Sequence, residues 1–108
     1  MNWTKHLRIK HLKVLLILKD SGSLSETAKR TYTTQPALSR WLKELENDVG
    51  GQLFIRHARG LVPTDLGLLL INHVRKIETE VNRTQFNIDI FKEGGHLTIA
   101  VGTSPASA

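Results

Sequence analysis

Ser23-Leu24-Ser25-Glu26-Thr27-Ala28-Lys29-Arg30-Thr31-Tyr32-Thr33-Thr34-Gln35-Pro36-Ala37-Leu38-Ser39-Arg40 contains two helix starts and one break. Ser23 followed three residues later by Glu26 is a capping-box pattern. In it the serine hydroxyl accepts from the Glu26 amide and the Glu26 carboxylate accepts from the Ser23 amide. A helix is therefore predicted from about Leu24 to Arg30. Thr31-Tyr32-Thr33-Thr34 is β-branched and aromatic and interrupts it; Thr34 then supplies an N-cap just before Gln35-Pro36, where proline in a first helical turn does no harm. The next helix begins near Gln35. Its apolar positions Leu38, Leu42, Leu45 and Val49 advance by steps of 4, 3 and 4, and Gly50-Gly51 closes it.

Upstream, Ile9, Leu12, Leu15 and Leu16, with Lys10, Lys13 and Lys19 between and beyond them, form an amphipathic stripe that ends near Asp20 at the breaker Ser21-Gly22-Ser23. Downstream, Gln52-Leu53-Phe54-Ile55 and Leu61-Val62 are short β-prone runs separated by Arg56-His57-Ala58-Arg59-Gly60, a small hairpin. Pro63-Thr64-Asp65 punctuates the chain, with Thr64 as an N-cap, and a long helical pattern follows to about Lys92 before Glu93-Gly94-Gly95. At ~1.5 Å per residue this helix would span ~43 Å, longer than a three-helix domain needs to cover its own core. Leu97-Thr98-Ile99-Ala100-Val101 reads as one strand without a partner. The expected fold is mainly α: a three-helix winged helix-turn-helix with a short β-hairpin wing over residues 1–63, a long linker helix over 64–93, and an orphan strand within 94–108.

Within the long helix, Leu70, Val74, Ile77, Val81, Thr84, Ile88 and Phe91 advance by alternating 4 and 3, a heptad seam suited to a partner helix. The bland alternative is that Leu70 to Ile77 caps the winged domain of the same chain, since any surface helix packs through such a stripe.

The chain has 108 residues, too few for a large enzyme fold, and a formal charge of +5 with a pI near 9.9. The charge is uneven. Residues 1–63 carry 11 basic and 5 acidic residues, the rest 4 and 5. A basic front of this size suits a polyanion, above all double-stranded DNA. With 0 Cys there is no disulfide, thiolate nucleophile or zinc ribbon, which fits a reducing compartment. The longest apolar runs, Val14–Leu18 and Leu68–Ile71, fall far short of the ~20 residues of a membrane span, and no signal peptide is legible. His6, His11, His57, His73 and His96 include no i, i+4 pair, so no metal is assigned; no triad or cofactor loop is legible, so neither catalysis nor a cofactor is assigned.

With Leu38, Leu42 and Leu45 turned inward, Pro36, Ser39, Arg40 and Lys43 turn outward near the end of the helix that enters a major groove. Gln35 can pair bidentately with adenine and Arg40 with guanine; Ser39 can bond a base or phosphate, and Pro36 can touch a thymine methyl. Arg56 and Arg59 in the wing suit the negative potential of a minor groove. The candidate DNA-binding set is Ser23, Thr33, Thr34, Gln35, Pro36, Ser39, Arg40, Lys43, Arg56 and Arg59.

Gly22-Ser23-Leu24, Ala28, Thr34-Gln35-Pro36-Ala37-Leu38-Ser39-Arg40, Leu45-Glu46, Gly50, Leu53-Phe54, Arg56, Arg59-Gly60, Pro63-Thr64 and Gly67 together resemble the N-terminal winged helix-turn-helix of bacterial LysR-type transcriptional regulators. The resemblance covers roughly Ile9 to Lys92. It implies a cytoplasmic, nucleoid-associated regulator that dimerises, or forms higher oligomers, through the linker helix and reads a partly palindromic operator. Residues 94–108 would then be the start of a truncated effector-binding domain. Thr103 and Ser104 match a loop where the family often places ligand-contacting hydroxyls, so a small-molecule effector would belong only to a full-length version. Thr31 stands where the family usually has leucine and Thr27 where alanine is common, and a threonine in a leucine slot implies a softer core with a hydroxyl to satisfy; Trp41 stands where a polar residue is usual, at the edge of the core or across a partner surface. The alternative function is a truncated partner that sequesters a full-length relative through the linker helix.

Overall fold

The computed structural model describes residues 3–94. The strand expected at Leu97–Val101, with Thr103 and Ser104, lies outside the described residues. A 3-10 turn, Trp3–His6, precedes three helices, α1 (Ile9–Ser21), α2 (Leu24–Arg30) and α3 (Gln35–Val49). A two-stranded antiparallel hairpin, β1 (Phe54–His57) and β2 (Gly60–Pro63), follows, and then α4 (Asp65–Lys92). Two compact units divide the chain, one through Glu78 and one from Thr79.

The caps explain why the helices begin where they do. The Ser23 hydroxyl accepts from the Glu26 amide at 3.0 Å, opening α2, and the Thr34 hydroxyl accepts from the Ala37 amide at 3.2 Å, opening α3. Only half of the expected capping box forms. The Ser23 amide donates to the Ser21 hydroxyl, and the Glu26 carboxylate instead pairs with Arg30 one turn on. Gly22 ends α1 in the left-handed conformation, with its amide bonded to the Leu18 carbonyl.

The core of the first unit is leucine-rich. Leu15, Leu18, Leu45, Leu53, Ile71 and Val74 are fully buried, each contributing about 2 kcal/mol of transfer from water. The unit runs past the boundary expected at residue 63, because Ile71 and Val74 of α4 belong to this core and Leu70 packs against it. The two threonines that depart from the family pattern are accommodated by local hydrogen bonds. Thr27, fully buried, shares a 3.0 Å hydrogen bond with the Ser21 hydroxyl, and the Thr31 hydroxyl donates to the Thr27 carbonyl at 2.8 Å. Neither hydroxyl is orphaned, so the polar penalty expected of them is largely offset.

The strands of the hairpin have other bounds than expected, with β1 at Phe54–His57 and β2 at Gly60–Pro63. Residues 52–55 were the expected first strand, yet β1 begins at Phe54, because the amides of Leu53 and Phe54 both donate to one Glu46 carboxylate oxygen, at 2.7 and 3.2 Å. This carboxylate of α3 is thus the fastening between the helix and the wing. Replacing Glu46 with alanine leaves the buried Leu53 amide without an acceptor. We expect a loss of about 2 kcal/mol, seen as a lower urea midpoint at unchanged slope; an unaltered midpoint would remove this role. Thr64 closes the base of the hairpin: its hydroxyl donates to the Gln52 carbonyl at 2.6 Å and accepts from the Gly67 amide at 3.0 Å, capping α4 as its sequence position predicts.

Candidate nucleic-acid interface

Burial divides α3 lengthwise. Leu38, Leu42 and Leu45 are buried, while Gln35, Pro36, Ser39, Arg40 and Lys43 are exposed, so five of the expected contact residues share the solvent face of one rod. None of these five is tied up by a side-chain hydrogen bond or ion pair among the described residues. Their rod is held at both ends. At its start the Thr34 cap fixes the first turn. Toward its end, Trp41 donates from its indole nitrogen to the His6 carbonyl at 2.6 Å, and His6 Nδ1 is hydrogen-bonded to Asp48. Trp41 therefore clamps the 3-10 turn and does not belong to the outward face.

His11 stacks near Trp41, with ring centroids 4.8 Å apart, and its Nδ1 accepts from the Arg8 amide. Burial, with the Lys10 and Arg8 cations adding to it, lowers its pKa below the ordinary imidazole value. The neutral ring is the folded form, so the native state binds fewer protons than the unfolded chain. His11's contribution to stability is whole above about pH 6.5 and is lost as pH falls through that value toward the lowered native pKa. Urea unfolding at pH 7.5 and 5.5 should show lower stability at the acid end. The loss should shrink in His11→Gln, which keeps an acceptor for the Arg8 amide.

The wing meets the helices at one corner. The Leu61 amide donates to the Gly22 carbonyl at 2.9 Å, and at Gly60, whose φ is +121°, a Cβ would come within 2.5 Å of that same oxygen. Arg56 pairs with Leu61 and so lies on β1, a correction to its expected place in the loop; Arg59 occupies the turn. Both are exposed. Between α3 and the wing lies a cleft of about 410 Å³ to which Ser39, Lys43, Gln52 and Arg56 contribute. The structure thus brings Ser39 and Lys43 together with Arg56.

Of the ten expected contact residues, Ser39, Lys43 and Arg56 line this cleft and the other seven do not. Ser23 is half-buried with its hydroxyl engaged in the α2 cap, and Thr33 and Thr34 are exposed in the α2–α3 turn. That turn also holds a residue the sequence reading did not select. Tyr32 is 97% exposed with a left-handed backbone, φ 57°, a conformation costing a non-glycine residue roughly 1 kcal/mol. An aromatic ring among three threonines in a turn is the only signal that could have marked it.

The expected seam of the linker helix divides. Val74 is fully buried in the first unit's core and Leu70 packs against that core, so these two are not a free surface, and the bland alternative holds for them. The α4 stripe facing the core is Gly67, Ile71, Val74 and Glu78. Ile77 is exposed in the first unit, as are Ile88 and Phe91 in the second; Val81 is half-buried, and Thr84 is exposed with its hydroxyl turned back to the Glu80 carbonyl. Leu69 and Phe86 are exposed apolar residues outside the expected set.

The family model for bacterial regulatory helix-turn-helix proteins of the lysR family matches residues 9–68, more than half of the chain. The chain belongs to the LysR family. Among its relatives in this family, the small neutral protease regulatory protein of Streptomyces coelicolor is 33% identical over 94% of this chain and 31% of its own length. The HTH-type transcriptional regulator MetR of Haemophilus influenzae is 40% identical over 88% of this chain and 31% of its own length. The chain spans about a third of the length of the curated relatives it matches. Among solved LysR structures, Vibrio fischeri DarR in complex with DNA matches 83% of this chain and 31% of that one, with TM-score 0.71 and 27% identity. The matched segment takes in all of α1, α2, α3 and the wing and only the start of α4. A LysR-type helix-turn-helix regulator, and not an enzyme, is the class these relatives share.

Proposed function

We propose that this LysR-family chain recognises a specific double-stranded DNA sequence, with α3 in the major groove and the wing on the adjacent minor groove. Gln35 and Arg40 read base edges, Ser39 and Pro36 add short contacts, and Lys43, Arg56 and Arg59 neutralise phosphate, with Thr33 and Thr34 beside the entering helix end. The observation that carries this reading is the lengthwise division of α3, whose one face is spent on the core while Gln35, Pro36, Ser39, Arg40 and Lys43 stand together on the solvent side. Selection of duplexes from a random pool should yield a consensus, and binding to it should weaken steeply with salt. Recovery of no consensus would refute sequence recognition.

Dimerisation through α4 is the second part of the proposal, and it rests on the exposed Ile77, Ile88 and Phe91. Two such chains would read the two halves of a partly palindromic operator. Replacing Ile88 and Phe91 by serine should convert a dimer on a sizing column to a monomer, with operator affinity falling as the second half-site is lost. The same surface also favours a second reading, capture of a longer relative. Mixing the two proteins and sizing the mixture distinguishes mixed from like pairs.

A further inference from the structure

On the flank of α3 away from the wing, a groove of about 490 Å³ runs between α1 and the α2–α3 turn. Its apolar floor comes from Val14 and Ile17 of α1 and from Leu38 and Trp41 of α3, so it is walled by two helices along its length. Its rim is cationic: Lys10, Lys13 and Arg30 line it and no carboxylate does. Lys10 has no ion-pair partner among the described residues. Lys13 is 3.8 Å from Glu78 and two-thirds exposed, and Arg30 is held to Glu26 on its own helix. The solvent-exposed Tyr32 stands at the turn end of the groove in its strained backbone conformation. Strain of this kind gathers at functional positions.

We propose that this groove docks an acidic amphipathic helix of a partner protein, whose apolar stripe would lie on Val14, Ile17, Leu38 and Trp41 and whose carboxylates would meet Lys10, Lys13 and Arg30. Charge and shape together select this occupant. A two-helix groove with an apolar floor accepts side chains spaced i, i+3/i+4, i+7, and a cationic rim raises the encounter rate with an acidic partner. His11, which also lines the groove, has its pKa lowered first by burial, with the Lys10 and Arg8 cations adding to it. A phosphodiester backbone gains nothing from the apolar floor. A second copy is a poor match, since residues 64–93 carry 4 basic and 5 acidic residues and so offer no strongly acidic face. The DNA reading uses the opposite flank and the outer face of α3, and shares with this groove only Thr33, which lines its turn end.

The test uses the full chain, isotopically labelled, and a synthetic helical peptide with leucine at i, i+3, i+7 and glutamate elsewhere. Its counterpart carries lysine for every glutamate. The acidic peptide should shift the Trp41 indole resonance and the amides of Val14, Ile17 and Tyr32, and the lysine peptide should not. Lys10→Glu with Lys13→Glu, both at exposed positions, should weaken acidic-peptide binding at least about tenfold and leave affinity for the selected duplex within about twofold. Tyr32→Asn removes the ring while suiting the left-handed backbone, and should weaken the peptide alone. Equal binding of the two peptides overturns the proposal, as does a shift pattern centred on Ser39, Arg40, Lys43 and the wing with Val14 and Ile17 unmoved. An equal loss of duplex affinity in the charge-reversal variant would reassign the rim to DNA. Loss of self-association in that variant, seen on a sizing column, would reassign it to a second copy.

Discussion

Arg40→Ala lowers affinity for the selected duplex by about 2 kcal/mol, roughly thirtyfold, and lowers affinity for random duplexes far less. The asymmetry follows from what an arginine on the exposed face of α3 can do. In the proposed pose its guanidinium would present two parallel donors to the O6 and N7 acceptors of guanine, a geometry no other base pair offers in the major groove. Removal therefore relaxes choice at one base-pair position. Because Arg40 is exposed and pairs with no carboxylate among the described residues, urea unfolding of the variant should match the parent. Arg59→Ala is the contrasting case. Its proposed role in the wing turn is to meet phosphate or minor-groove charge, so specific and random duplexes should lose affinity alike, with the salt slope reduced by about one. Titration of both duplexes at several salt concentrations separates the two patterns, and identical behaviour of the two variants would refute the division of labour.

Gly67→Ala should destabilise the first unit by about 3 kcal/mol or more, against a total stability that for a domain of this size is about 5–15 kcal/mol. In an ordinary helix interior the same substitution stabilises by about 1 kcal/mol, so the sign alone is informative. A Cβ at Gly67 would lie 2.0 Å from the Leu53 carbonyl oxygen and 3.0 Å from its carbon. The Leu53 carbonyl has little freedom to yield, because it accepts from the Thr64 amide at 2.9 Å while the Leu53 amide is held by Glu46. Helix α4 can admit the methyl group only by moving away, which uncovers Ile71 and Val74. The measurement is the urea midpoint of the variant, with operator binding as a second readout of wing position. A variant as stable as the parent would mean that α4 does not approach the hairpin this closely.

The helices were legible because their signals are local. Ser23, Thr34 and Thr64 each cap the helix they precede, and the 4–3–4 spacing from Leu38 to Val49 identifies the buried face of α3 without reference to any other element. Since the outward face is the complement of that buried face, the five candidate contacts on it were legible too. What the sequence hid depends on distant partners. The start of β1 is set by a carboxylate eight residues upstream, so β-propensity alone placed the strand two residues early and Arg56 in the loop. The α4 seam failed at Leu70 and Val74 because a 4–3 stripe does not say whether the facing surface belongs to the same chain. Trp3–His6 as a latch on α3 was invisible for the same reason, since its hydrogen bonds join residues 35 and 42 positions apart. The exposure of Tyr32 was hidden because a β-branched and aromatic break marks where α2 ends without saying which of its side chains faces solvent.

Backbone amide shifts of the labelled chain, recorded as the selected duplex is added, test the central claim most directly. The division of α3 predicts that the largest changes fall on Gln35–Lys43 and on Arg56–Gly60, with little change along the α1 residues that line the opposite groove. Changes concentrated on α1, or on the buried positions Leu38, Leu42 and Leu45 without their outward neighbours, would contradict it.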